Sequence, residues 1–278
     1  MTSTIDTGTP APIAFIGGGN MASAIIGGLL REGLPAAQIE VVEPYEEARR
    51  KLRAQFGVEA RERAGPALAR AALVVWAVKP QTFKDAAGEA RGHIGGALHL
   101  SVAAGIRSDS IFQWLGTQRI VRSMPNTPAL IGKGMTALYA RPGVSAADKA
   151  RVEQVIATTG ASLWVDEEAL LDAVTALSGS GPAYVFFFLE AMTRAGVEMG
   201  LSREQAYQLS VGTFAGASAL AQASGDPPEV LRQRVTSKGG TTHAAITSME
   251  QDQVQVLFIN ALHAARRRAS ELGDEFGA

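Results

Sequence analysis

Two short stretches of this 278-residue chain carry residue types that helices and strands do not require for themselves. The first is Gly17-Gly18-Gly19-Asn20-Met21-Ala22, a G-x-G-x-x-A pattern between an apolar run at 13–16 and a helical pattern. Gly17 permits the tight turn, Gly19 lets backbone approach a pyrophosphate, and Ala22 lets helix pack closely on strand. Free N–H groups at the helix start can then hold anionic phosphate. The second is Thr236-Ser237-Lys238-Gly239-Gly240-Thr241-Thr242, between two helical patterns. Its glycines let the chain fold tightly, its amides can hold a carboxylate, and its hydroxyls can donate to a substrate.

Further turns follow the expected strands. Glu43 ends the second strand, about where an acid grips an adenine ribose, and a carboxylate there favours a 2′-hydroxyl over a 2′-phosphate. Arg49 and Arg50 follow closely and could neutralise that phosphate, although both also suit a solvated helix face, so cofactor choice stays open. Ala77-Val78-Lys79-Pro80 and Ser101-Val102-Ala103-Ala104-Gly105 place small residues and a proline at carboxyl ends of strands, where ligands of open parallel sheets bind. Met124-Pro125-Asn126-Thr127-Pro128 is a stiffened polar turn, and Ser178-Gly179-Ser180-Gly181-Pro182 is either a hinge or a helix start rich in hydroxyls.

The elements that must position these turns change character along the chain. From residue 12 to 165 short β-rich runs (13–16, 39–42, 73–78, 98–102, 120–122, 135–139 and 162–165) alternate with helical patterns (21–31, 45–56, 81–91 and 146–159). This predicts a Rossmann-like parallel sheet covered by helices. From 166 to 278 strands stop and amphipathic helices take over: 183–199, 202–222, 227–235, 242–249 and 252–272. Ser202 with Gln205 makes a capping-box pattern opening the second of these, and Asp226 is expected to cap the third, with Pro227 in its first turn. The fold class is therefore α/β, an N-terminal dinucleotide-binding domain (12–165) followed by an all-α domain (166–278), with residues 1–11 a frayed tail. Small residues and broad apolar faces from Ala183 to Ala221 exceed what a domain of this size buries alone, so a homodimer is expected through the helical region.

Composition removes several function classes. The formal net charge is −1, which offers no positive field for nucleic acid or anionic lipid. The longest apolar runs fall short of the roughly 20 residues of a membrane span. With no cysteine there is no disulfide framework, thiolate nucleophile or Cys-bound metal, and a cytoplasmic location fits. His93, His99, His243 and His263 lack metal-ligand spacing, so no metal site is expected.

Taken in order, FIGGGNMA (Phe15 to Ala22), AVKP (Ala77 to Pro80), SVAAG (Ser101 to Gly105), MPNTP (Met124 to Pro128), LSGSGPAY (Leu177 to Tyr184) and VTSKGGTTHAA (Val235 to Ala245) resemble the pyrroline-5-carboxylate reductases. The resemblance runs from about Ile13 to Leu272. It implies hydride transfer from NADPH, with NADH also possible, to the C=N bond of 1-pyrroline-5-carboxylate, giving L-proline. It also implies a helical domain interlocked in a dimer and, in many relatives, a ring of dimers. Gly17, Gly19, Asn20, Met21 and Ala22 would hold the pyrophosphate, with Ala77, Lys79, Pro80, Ala103 and Gly105 along the rest of the cofactor. Ser237, Gly239, Gly240 and Thr241 would bind the substrate carboxylate, and Thr242 would face the ring nitrogen. One departure is Glu43-Pro44-Tyr45, where many relatives have an Asn-Arg or Ser-rich phosphate-binding turn. Two rival readings fit the same residues: a β-hydroxy-acid dehydrogenase using Lys238 as general acid, and a non-enzymatic dinucleotide sensor or assembly protein.

Overall fold

The computed structural model describes residues 11–277. Of the expected tail, residues 1–10 lie outside these, and Ala11 is exposed. The elements are β1 (Ile13–Ile16), α1 (Asn20–Arg31), β2 (Ile39–Val42), α2 (Glu46–Phe56), β3 (Ala60–Arg61), β4 (Leu73–Trp76), α3 (Pro80–Ala90) and β5 (Leu98–Ser101). There follow α4 (Ser108–Leu115), β6 (Ile120–Met124), β7 (Gly134–Ala140), α5 (Ala146–Ala157), β8 (Gly160–Trp164) and α6 (Leu170–Val174). A turn of π-helix (Thr175–Gly179) then leads to α7 (Gly181–Glu198), α8 (Arg203–Ser224), α9 (Pro228–Arg234), α10 (Thr241–Gln251) and α11 (Val254–Phe276).

The strands form one eight-stranded sheet in the order β3-β2-β1-β4-β5-β6-β7-β8. Side chains alternate across it: Ile13, Phe15, Leu73 and Val75 enter one apolar cluster, while Ala14, Ile16, Val74 and Trp76 enter the other. Burial on both faces is why these strands read as continuous apolar runs rather than as alternating ones. The order reverses between β1 and β4, the switch point at which open α/β sheets bind ligands.

The sheet is not wholly parallel as expected. β7 pairs antiparallel with β6 and parallel with β8, so the last two strands run against the rest. An apolar run carries no direction, but residues 125–133 are fewer than the dozen or so that a parallel crossover needs. Three short elements escaped the reading as well: the two-residue β3, and α4 and α6, which both begin without a side-chain cap. Asp226 does not cap α9. Pro227 holds that position and Pro228 the first turn, while Asp226 accepts from Arg234 at 2.5 Å. The capping box of Ser202 and Gln205 is present, each side chain bonded to the other's backbone N–H.

Two compact units result. One comprises the chain up to Ser180 together with the stretch from Ala265 onwards; the other is Gly181–Ala264. The change of texture near Asp166 and the division into units are thus different boundaries. α6 and the π-turn belong with the sheet, and so does the end of α11. Within the helical unit Phe186, Phe187, Tyr207, Leu209, Leu220 and Leu257 are exposed, an apolar surface of the kind subunit contacts cover.

His99 lies in the core on β5, 2% exposed, with its Nδ1 accepting from Trp76 Nε1 at 3.1 Å. Burial, helped by the positive charge of Arg119, holds its imidazole at about 4, well below the ordinary 6.5. The folded chain therefore binds fewer protons than the unfolded one between these values. Stability should be indifferent to this group above pH 6.5 and should fall as pH drops towards 4, by up to about 3 kcal/mol. Denaturant midpoints measured across that window check this. His99→Gln, which cannot titrate, should flatten that part of the curve, and an unchanged slope would refute the assignment.

Candidate active site

The chain leaves β1 at Gly17, whose φ of +97° belongs to the left-handed region and whose N–H donates to the Val42 carbonyl at 2.8 Å. A Cβ here would stand 2.5 Å from the Ala77 carbonyl oxygen, so strand β4 closes on this turn so tightly that only glycine fits. Gly18 is constrained by the Leu52 side chain, 2.7 Å from the place of its absent Cβ. Gly19 differs from both. It caps α1 with ordinary extended backbone, and nothing lies within 4 Å of where a Cβ would be. Open space thus faces the first N–H groups of α1, those of Asn20, Met21 and Ala22, which have no intrahelical acceptor. Ala22 itself is wholly buried against the sheet. The turn is an empty-fronted cradle at the positive end of a helix dipole, the form that binds phosphate.

Glu43 is buried, and its carboxylate is held from two sides: Gly18 N–H donates to Oε2 at 2.7 Å and Tyr45 N–H to Oε1 at 2.8 Å. Arg49 does not project towards solvent. It donates to the carbonyls of Glu43 (2.9 Å) and Pro44 (2.6 Å), with Glu62 at 3.9 Å, and Arg50 is bonded to Glu46. Sequence reasoning missed this bracing. The i, i+6 spacing of Glu43 and Arg49 offered no recognisable signal, since the loop that folds one onto the other is irregular.

A cleft of about 480 Å³ joins Gly17, Gly19, Glu43, Tyr45, Ala77 and Lys79 at the carboxyl edge of the sheet. Tyr45 stands 73% exposed at this cleft, and Glu62, Asp85 and Glu89 add carboxylates to its lining. Pro80 begins α3 behind Lys79. Ala103 and Gly105, with φ of +74°, follow β5 one strand over and do not line this cleft. The cleft residues, the glycine turn and the β5 exit thus share one rim of the sheet unit.

The other candidate residues lie in the helical unit. Gly239, at φ +77°, turns the chain so that Gly240 N–H donates to the Ser237 carbonyl at 3.0 Å, and Ser237 Oγ fills the place of a Cβ on Gly240 at 2.7 Å. Gly240 then caps α10 with no side-chain bond, leaving the N–H groups of Thr241, Thr242 and His243 at its first turn. Thr241 is exposed and Thr242 partly so. Thr236 is set apart from this group, because its hydroxyl donates to the Arg232 carbonyl at 2.6 Å. The segment is built to present amides and small hydroxyls, with no carboxylate among them.

A glycine cradle before a helix at the switch point of a mostly parallel sheet, with an all-helical remainder, defines a dinucleotide-binding protein of Rossmann type. Comparison with known proteins narrows this. Residues 168–272 match the family described as pyrroline-5-carboxylate reductase dimerisation, and residues 12–105 match NADP oxidoreductase, coenzyme F420-dependent. The pyrroline-5-carboxylate reductase of Pseudomonas aeruginosa is 46% identical over 95% of this chain and 98% of its own. Among solved structures, that of a pyrroline-5-carboxylate reductase from Coxiella burnetii has a TM-score of 0.88 at 37% identity, covering 95% of this chain and 99% of that one. The pyrroline carboxylate reductase of Plasmodium falciparum, solved with NADP bound, has a TM-score of 0.85 at 27% identity, covering 95% and 99%. The chain belongs to the pyrroline-5-carboxylate reductase family. Among the described residues no helix is long and apolar enough to cross a membrane, and no group of acids and histidines could hold a metal ion.

Proposed function

We propose that this chain reduces the C=N bond of 1-pyrroline-5-carboxylate to give L-proline, using NADPH and able to use NADH. The observation that carries the proposal is a 46% identity extending over nearly the full length of a reductase of that name, on a chain whose glycine cradle fits a dinucleotide. When bound, a reduced nicotinamide supplies the hydride; the protein supplies position and charge.

In this reading Gly17, Gly19, Asn20, Met21 and Ala22 hold the pyrophosphate on free amides, and Ala77, Lys79, Pro80, Ala103 and Gly105 carry the rest of the dinucleotide. The domain from 12 to 165 serves the cofactor and that from 166 to 278 the substrate. Ser237, Gly239, Gly240 and Thr241 grip the substrate carboxylate at the start of α10, which the uncapped helix end supports. Thr242 donates its hydroxyl towards the ring nitrogen. A cyclic imine can arrive already protonated and electrophilic, so hydroxyls and amides suffice where a general acid would otherwise be needed. His243 follows one helix position after Thr242 and is exposed, which suits a solvated side chain rather than a proton donor.

Glu43 touches the choice of cofactor. Its carboxylate lies in the cleft where the adenine ribose would rest and opposes a 2′-phosphate. Glu43→Ser should weaken both cofactors, because Gly18 and Tyr45 lose an acceptor, yet shift the NADPH to NADH ratio of kcat/KM towards NADPH by roughly 5- to 10-fold. An unaltered ratio would place the carboxylate away from the 2′ position.

The assembly proposed is a homodimer through the helical unit, with a ring of dimers as a further stage, and its setting the cytoplasm, which a cysteine-free chain suits. The exposed Phe186, Phe187 and Tyr207 support the first of these. Oxidation of NADPH and NADH dependent on the imine tests the whole reading, alongside sedimentation at assay concentration. Turnover of hydroxy acids with none of the imine would overturn the activity, and a fully active monomer would overturn the assembly.

A further inference from the structure

Two motifs, Met124–Pro128 and Leu177–Tyr184, have no part in the reading so far, and the structure joins them. Asn126 lies just beyond β6, and both ends of its side chain are engaged by backbone. Its Oδ1 accepts from Met135 N–H at 2.9 Å, and its Nδ2 donates to the Ser178 carbonyl at 3.1 Å. Ser178 sits in the π-turn, closed by the Ser180 N–H donating five residues back to the Thr175 carbonyl at 2.8 Å. Such turns are rare and are found frequently at functional sites. Gly179 packs against Met124, whose flexible end, Cε, lies 2.4 Å from where a Cβ would stand, so a larger residue here would displace that side chain. The β6 exit and the π-turn are therefore locked face to face by the Asn126 side chain, with Met124 packed against Gly179 beside it.

The lock holds a hydroxyl with nothing to do within the chain. Ser178 Oγ is buried and has no hydrogen-bond partner. Native proteins seldom leave such a group unpaired, and each exception calls for an explanation, a role in catalysis among them. Its place in the sheet says which part of a ligand could reach it. From the phosphate cradle at β1 the rim continues over β4 and β5 to the exit of β6, three strand spacings or roughly 14 Å away. A dinucleotide laid across the switch point with its adenine beside Glu43 on β2 sends its other end in this direction.

The geometry points to Ser178 Oγ as the group that hydrogen-bonds the carboxamide of the nicotinamide, with Asn126 as the positioning residue that fixes the π-turn for it. A hydroxyl can donate to the amide oxygen or accept from the amide nitrogen, so it suits either orientation of that group. Its effect is to fix the ring's rotation and hence the face from which hydride leaves.

The choice of a nicotinamide ligand rests on the proposed reaction, but the test needs no imine and so separates the two. NADH and NADPH are titrated by nicotinamide fluorescence. ADP-ribose and its 2′-phosphate, which keep the phosphates but lack nicotinamide, are titrated by calorimetry. Ser178→Ala should raise the Kd of the nicotinamide forms by about 5- to 20-fold and change that of the truncated forms less than about twofold. Since the hydroxyl has no internal partner, the free variant should melt at the same temperature as the parent or above it. Asn126→Asp retains the acceptor for Met135 but sets a carboxylate against the Ser178 carbonyl, and it should reproduce the selective loss. Equal weakening of full and truncated ligands, no weakening of either, or a lower melting temperature with unchanged Kd for Ser178→Ala would overturn the assignment.

Discussion

Thr242→Val should lower kcat/KM for the imine by roughly 5- to 150-fold, the value of one neutral hydrogen bond worth about 1 to 3 kcal/mol if it strengthens in the transition state. Valine preserves the branched shape at a helix start and removes only the donor. Affinity for the dinucleotide, measured by fluorescence titration, should stay within about twofold, because the proposed cofactor residues belong to the sheet unit. Thr241→Val is the control: that position is assigned to carboxylate binding mainly through its backbone N–H, which valine keeps. Its loss should be several-fold smaller. A Thr242→Val protein as active as the parent at subsaturating imine would remove Thr242 from the reaction and turn attention to Ser237 and Lys238.

A pair of glycine substitutions should separate folding from binding at the cradle. Gly19→Ala adds a methyl where nothing lies within 4 Å and where φ is −72°, so the free protein should keep its melting temperature. The same methyl occupies space proposed for pyrophosphate, and Kd for NADPH should rise by 30-fold or more, on the order of 2 kcal/mol. Gly17→Ala acts the other way. At φ +97°, with the Ala77 carbonyl 2.5 Å away, the methyl strains the backbone and forces β1 and β4 apart. A stability loss of about 2 to 4 kcal/mol follows, visible as a lower denaturant midpoint without any ligand. If Gly19→Ala binds NADPH as tightly as the parent, the phosphate is not held at this turn.

These two positions also show where sequence was legible. Strand, glycine turn and helix are contiguous, so local chemistry announced the cradle, and the tight approach of Ala77 is what the first glycine of such a pattern predicts. The helix from Arg203 was equally readable, since its capping box is written in four consecutive residues. What could not be read depends on partners distant in the chain. The Asn126 clamp spans 52 residues to Ser178, and the Gly18 to Glu43 bond spans 25, separations at which side-chain pairing leaves no periodic trace. The bracing by Arg49 is hidden for the same reason: a charged residue early in an amphipathic helix resembles solvated surface until the preceding loop is seen to fold over it. The reversal of β7 had a usable signal in the short link before it, which was outweighed by the parallel rhythm of the six runs around it.

The return of the last residues to the sheet unit bears on how the chain is made. Synthesis runs from the N-terminus, and domains that are contiguous in sequence can close as they emerge. Here the sheet unit begins before the helical unit and is completed after it. Arg107 at the entry to α4 pairs with Asp274 at 2.6 Å, Ser110 Oγ donates to the Gly277 carbonyl at 2.8 Å, and Phe276 packs against the apolar cluster that includes Trp76 and Phe83. None of these contacts can form until the ribosome has released the final turns of α11. The helical unit is thus set between two parts of the sheet unit, and the fold that carries the glycine cradle is completed only after the helical unit has been translated.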